Sequence, residues 1–197
     1  MKLVLASSNQ GKLEELRHLL GGAGVELVAQ SELGVGDAEE TAVTFVENAL
    51  LKARHAAALT GLPALADDSG LCVDALHGAP GLYSARYSGV HGDAQANIDK
   101  LLHELRDVAD ADRSAHFYCV LVLVRHPDDP QPLIAEGEWR GRIASGRRGD
   151  GGHGYDPVFL DVERGQTAAE MPAELKNRLS HRGKALVELR QRLLAAL

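Results

Sequence analysis

Apolar residues fall along this chain in two rhythms, short unbroken runs of the kind strands use and spaced stripes of the kind helices use. Leu3 to Ala6 predicts a buried strand. Ser7-Ser8-Asn9-Gln10-Gly11 then turns the chain, and Leu13, Leu16, Leu19 and Leu20 line one side of a helix predicted over 12–20, stopped by Gly21-Gly22. Val25 to Ala29 reads as a second strand, followed over 30–42 by a polar, acidic loop with Glu39 and Glu40. Thr44 and Glu47 have capping-box spacing and open a helix with a stripe of Val46, Leu50, Ala53 and Ala57, ended by Gly61 and Pro63. Ala64 to Ala66 predicts a strand ending in Asp67-Asp68-Ser69-Gly70, and Leu71 to Leu76 a further strand. Residues 77–92 form a glycine-rich loop region, and Asp93 can cap a helix carrying Ile98, Leu101, Leu102 and Leu105.

Ala115 to Val124 is apolar on both alternating faces, the pattern of a central strand covered on both sides. Leu133 to Ala144 alternates more and predicts its antiparallel partner across a turn at 126–132. Residues 145–154 read as a flexible basic and glycine-rich loop, 157–160 as a short strand. Helices are predicted over 168–178 and 181–196, with Ser180 as a cap between them. This order fits an α/β chain with a mixed sheet flanked by helices.

Composition narrows what such a chain can bind. Lys plus Arg number 21 against 28 Asp plus Glu, a net charge of −7, which argues against gripping a nucleic acid polymer by bulk charge. Aromatic residues make up 4%, too few for a single-strand stacking platform. Cys72 and Cys119 sit in apolar runs and form no C-x-x-C pair, so two buried thiols are expected. No apolar stretch approaches the ~18 residues of a membrane span, and the first residues do not resemble a signal peptide. The expected location is the cytoplasm.

Four groups of residues carry candidate chemistry. Ser7 to Lys12 lies between a strand and a helix, where free backbone N–H groups favour an anion, and Lys12 in a first helical turn suits a bound phosphate. No Walker A loop is present; the glycines at 149, 151 and 154 precede a strand, the wrong context for a dinucleotide fingerprint, and read as a mobile loop. Asp67-Asp68-Ser69 places paired carboxylates at a strand end, where a hard cation would relieve their repulsion; Glu39-Glu40 could add a ligand, though alone that pair reads as a solvated loop. Phe45, Asn48 and Lys52 share one helix face, which taken alone reads as a solvated surface. Lys176, His181 and Arg182 gather near the start of the last helix, where an anion or a base edge would justify basic side chains.

Together these segments resemble the inosine/xanthosine triphosphate pyrophosphatase family. The resemblance runs through Leu5-Ala6-Ser7-Ser8-Asn9-Gln10-Gly11-Lys12, Phe45-Val46-Glu47-Asn48-Ala49 with Lys52, and Ala66-Asp67-Asp68-Ser69-Gly70. It continues through Gly78-Ala79-Pro80-Gly81 with Tyr83 to Tyr87, Gly154-Tyr155-Asp156-Pro157, and Ser180-His181-Arg182-Gly183. It implies two lobes around a long curved mixed sheet, a nucleotide cleft between them, a homodimer and a Mg²⁺ requirement. The implied reaction cuts ITP, dITP or XTP between the α and β phosphates, leaving monophosphate and pyrophosphate.

By the same resemblance Ser7, Ser8, Asn9, Gln10, Gly11 and Lys12 cradle the triphosphate, with Lys52 and Lys176 adding charge. Asp68 is metal ligand or base for the attacking water, Glu40 a second ligand, and Ser69 touches the nucleotide. His153, Gly154, Tyr155, Asp156, His181 and Arg182 belong to the base side. Hypoxanthine and xanthine offer an acceptor at O6 where adenine offers a donor, so donation from His181 or Arg182 would reject ATP. His153 departs from the Phe usual in the family; its ring can still stack but is smaller and titratable. Two alternatives stand beside this reading: a pyrophosphatase for other modified nucleotides, and a non-catalytic nucleotide sensor, against which the acids and lysines argue.

Overall fold

A computed structural model of the chain describes residues 2–7, 13–14, 16–17 and 24–196. Seven strands form one mixed sheet: β1 (Lys2–Leu5), β2 (Glu26–Ala29), β3 (Ala64–Val73), β4 (Ser114–Val124), β5 (Leu133–Ile143), β6 (Phe159–Asp161) and β7 (Gln166–Thr167). Their order across the sheet is β2-β1-β3-β4-β5-β6-β7. β1 pairs in parallel with β2, Leu3 opposite Leu27, and with β3, Leu5 opposite Leu65. β4 and β5 are neighbours joined only by residues 125–132, too short for a crossover, so they run antiparallel as predicted. β6 pairs antiparallel with both β5 and β7. The described α-helices are α1 (Phe45–Thr60), α2 (Ala94–Glu104), α3 (Ala173–Leu179) and α4 (His181–Ala196), with Leu13–Glu14 and Leu16–Arg17 also helical and short 3-10 turns in the connections.

Local chemistry explains the helix ends. The Thr44 hydroxyl accepts from the Glu47 N–H at 3.3 Å and opens α1; Gly61, left-handed, closes it. Asp93 accepts from the Ala96 N–H at 3.0 Å and Ser180 from the Gly183 N–H at 3.0 Å, so both predicted caps form. The buried face of α1 is narrower than its sequence stripe suggests. Ala49, Ala53, Ala56 and Ala57 are buried with Asn48, while Val46 and Leu50 are only half-buried.

The chain divides into two compact units. One comprises residues 1–68, 119–137 and 184–197; the other 69–118 and 138–183. In the first, Leu3, Leu5, Leu27, Leu65, Leu121, Leu186 and Leu189 build an aliphatic core. The β4–β5 connection is fixed by Asp129, whose buried carboxylate accepts from the Arg125 Nη2 at 2.6 Å and the Gln131 N–H at 3.0 Å. Those bonds, Arg125 foremost, hold its carboxyl well below the usual carboxylate range. In the second, Phe117 packs on Phe159 at 4.6 Å between ring centroids, and Trp139 meets Phe159 edge-on at 5.0 Å. The buried Trp139 Nε1 donates to Asp161 at 3.1 Å.

Three expectations change. Asp67-Asp68-Ser69-Gly70 does not turn: β3 runs unbroken from Ala64 to Val73, and pairing within the sheet overrides local turn chemistry. The strand predicted to Leu76 ends at Val73, where Asp74–Leu76 winds into a 3-10 turn. The helix predicted over 168–178 is two elements, a 3-10 turn at Ala168–Glu170 and then α3, because Pro172 cannot continue a hydrogen-bonded helix from Met171.

Candidate active site

The first unit gathers one cation and several acids. Lys52 projects from the third turn of α1, its ammonium 2.6 Å from Glu40 Oε1 and 3.4 Å from Asp68 Oδ1. Asp68 stands in β3 directly after Asp67, whose side chain is buried. Burial works against the charge of Lys52, but Asp68, Asp67 and Glu40 outweigh it and hold the ammonium above its ordinary value. Glu40 comes from the acidic loop before α1, and that loop is tied down: the buried Asn48 accepts from the Ala42 N–H at 3.0 Å.

Glu40 and Asp68 therefore already share one cation, the lysine ammonium, through hard oxygen donors. Among the described residues no three His, Cys, Asp or Glu side chains gather into a metal-binding group. Magnesium does not need such a trio, since one or two carboxylates with substrate phosphates and water suffice. The donor set fits such an ion. Ser7 follows β1 and Ser69 follows Asp68, both half-buried; Ser8, Asn9, Gln10, Gly11 and Lys12 lie outside the described residues.

The second unit gathers the remaining candidates. Asp156 is buried; it accepts from the His153 N–H at 2.7 Å and from the Lys176 ammonium. Lys176, expected beside phosphate, is thus engaged by a carboxylate of its own unit. The His153 side chain is 79% exposed, its Nδ1 3.9 Å from Asp156 Oδ2. Gly154 is left-handed and completes the turn. The Tyr155 ring belongs to the core, and its hydroxyl donates to the Ser84 carbonyl at 2.8 Å. That burial, with Tyr87 nearby, pushes its hydroxyl far above the ordinary tyrosine value. Tyr155 therefore holds the 153–156 turn in place and does not present its hydroxyl to a ligand. His181, at the start of α4, stacks on Phe117 at 4.8 Å and 13°, and Arg182 beside it is largely buried.

The loop before this turn is not the mobile segment its glycines suggest. A side chain at Gly149 would meet the Ala169 backbone at 2.7 Å, and one at Gly152 would meet Asp156 Oδ2 at 2.1 Å. The Gly151 N–H donates to the Ala169 carbonyl at 3.2 Å, and Thr167 Oγ1 donates to the Arg148 carbonyl at 2.7 Å. Glycine is required here for close approach. Sequence reasoning also passed over Ser84. Its Oγ accepts from the Leu71 N–H at 2.9 Å, linking β3 to the segment that receives Tyr155. Its place in Tyr83 to Tyr87, a matched segment, was the available signal.

Comparison with known proteins shows the family. The Ham1 family model matches residues 3–192, and the chain belongs to that family. A relative from Xanthomonas oryzae pv. oryzae, named dITP/XTP pyrophosphatase, is 66% identical over 191 residues, 97% of this chain and 96% of its own. One of the same name from Xylella fastidiosa is 62% identical over 189 residues, covering 96% and 95%. Among solved structures, a Ham1 protein from Coxiella burnetii superposes with a TM-score of 0.95 at 49% identity, covering 99% of each chain. A dITP/XTP pyrophosphatase from Mycobacterium abscessus gives 0.80 at 44% identity, covering 100% of this chain and 98% of that one.

Proposed function

We propose that this chain hydrolyses deaminated purine nucleoside triphosphates, dITP, ITP and XTP, to the monophosphate and pyrophosphate. Lys52 held between Glu40 and Asp68 carries the reading, since it supplies a phosphate-binding cation beside a carboxylate able to take a proton from water. The water oxygen bonds to the α-phosphorus, the bond to the α–β bridging oxygen breaks, and the water proton passes to Asp68. Lys52 turns its ammonium toward the phosphate oxygens and offsets the charge they gather. Glu40 and Asp68 would hold a Mg²⁺ ion, which when bound neutralises phosphate charge. On the base side His181 and Arg182 donate toward O6, and His153 covers the base face. A homodimer working in the cytoplasm belongs to the same proposal, on the resemblance of its motifs and the absence of a membrane-spanning helix among the described residues.

The test is product analysis with Mg²⁺ and dITP, XTP, ITP, GTP and ATP in turn. Pyrophosphate and monophosphate are expected from the first three. Orthophosphate release, or equal rates on GTP and ITP, would overturn the proposal. Light scattering on the purified protein checks the dimer.

A further inference from the structure

The acidic loop owes its position to α1 at two points. His55 Nε2 lies 3.1 Å from the Gly36 carbonyl, and Asn48 Oδ1 accepts from the Ala42 N–H at 3.0 Å. A third tie joins Gln30 Nε2 to Asp37 Oδ1 at 2.6 Å. Glu40 stands between the two helix contacts, two residues from Ala42. Gln30 and Asn48 are both buried amides, but of the two helix contacts only that of Asn48 is made by a buried side chain, and it arises one turn before Lys52 on the same helix face. A buried amide on this otherwise alanine face of α1 is a costly place for a polar group unless its bond is used. We infer that Asn48 is a positioning residue: by holding the Ala42 amide it sets the Glu40 carboxylate against Lys52 and Asp68.

The inference rests on reading Glu40 as a metal-holding carboxylate, and the experiment separates the two. Partners that orient metal ligands are worth about tenfold to a hundredfold in metal affinity. Two variants remove the same hydrogen bond from opposite ends. Asn48→Ala deletes the acceptor. Ala42→Pro deletes the donor in a loop residue outside the core, so it carries the test should Asn48→Ala fail to fold. Affinity for Mn²⁺ alone is read from the free-ion electron paramagnetic resonance signal. The Mg²⁺ concentration giving half-maximal dITP hydrolysis is read separately.

Each variant is expected to weaken Mn²⁺ binding and raise the Mg²⁺ requirement by about tenfold or more. Placed on Glu40→Gln, Asn48→Ala should add less than about twofold, because both act through one carboxylate. Unchanged Mn²⁺ affinity in both variants, or a full additional loss in the Glu40→Gln background, overturns the positioning role. If Glu40→Gln itself leaves Mn²⁺ binding unaltered, the metal-holding assignment of Glu40 falls, and the inference with it.

Discussion

Replacing Lys52 by Met keeps the aliphatic stem and removes the charge. The lost ammonium lies 2.6 Å from Glu40 and 3.4 Å from Asp68, in a site where Asp67 adds to the field. Removing one partner of a buried ionic group costs about 3–5 kcal/mol, because the other charge is stranded. The Glu40 side chain is 32% exposed and recovers hydration, whereas that of Asp68 is 13% exposed and recovers little. The lower end, about 3 kcal/mol, is therefore expected. For a chain of this length each kcal/mol moves Tm by about 2–4 °C, so thermal unfolding at pH 7 should fall by about 6–12 °C. Adding Asp68→Asn removes the stranded charge and should return about 1 kcal/mol or more. Because the lysine is held above its ordinary value, its stabilisation is complete below about pH 10.5 and lost only as pH rises through the still higher folded value. The deficit should therefore be the same at pH 7 and pH 9. A Tm loss under about 2 °C, or a double variant no more stable than Lys52→Met, would refute the compensation argument.

Three further outcomes are expected. Asp68→Asn should lower single-turnover hydrolysis of dITP at saturating nucleotide and Mg²⁺ by about a hundredfold or more, since the lost group takes a proton. Gly152→Ala should cost about 1–3 kcal/mol in urea unfolding and raise KM, because the position is left-handed and the new methyl meets the Asp156 carboxylate at 2.1 Å. Trp139→Phe should cost about 2–4 kcal/mol with dITP turnover unchanged, because it leaves the buried Asp161 short of a donor 3.1 Å away and trims a core ring packed on Phe159.

Elements decided by local signals were legible in the sequence. Thr44, Asp93 and Ser180 cap the helices they were expected to cap, and Ala115 to Val124 lies at the centre of the sheet. What failed depended on distant partners. Asp-Asp-Ser-Gly has turn chemistry, yet β3, set between β1 and β4 in the sheet, continues through it to Val73. Glycines at 149–152 read as slack because Ala169 and Asp156, which they must let approach, lie elsewhere in the chain. Asn48 looked like a solvated helix position, and its burial depends on a loop folding back to offer Ala42. Of the candidate site, Glu40, Lys52 and Asp68 were named from sequence and meet in space; Lys176 was named for phosphate and meets Asp156.

The crowded turn around Asp156 has a consequence for how this protein can change over generations. At positions 149, 151 and 152 even a methyl group collides with backbone or carboxylate, and Tyr155 and Asp156 are buried. Mutation there is filtered by folding before any ligand is offered. His153 alone among residues 152–156 carries a side chain that stands out in solvent. Within this turn, tolerated change is therefore channelled through position 153, and a library randomised there should yield more folded clones than one randomised at its neighbours.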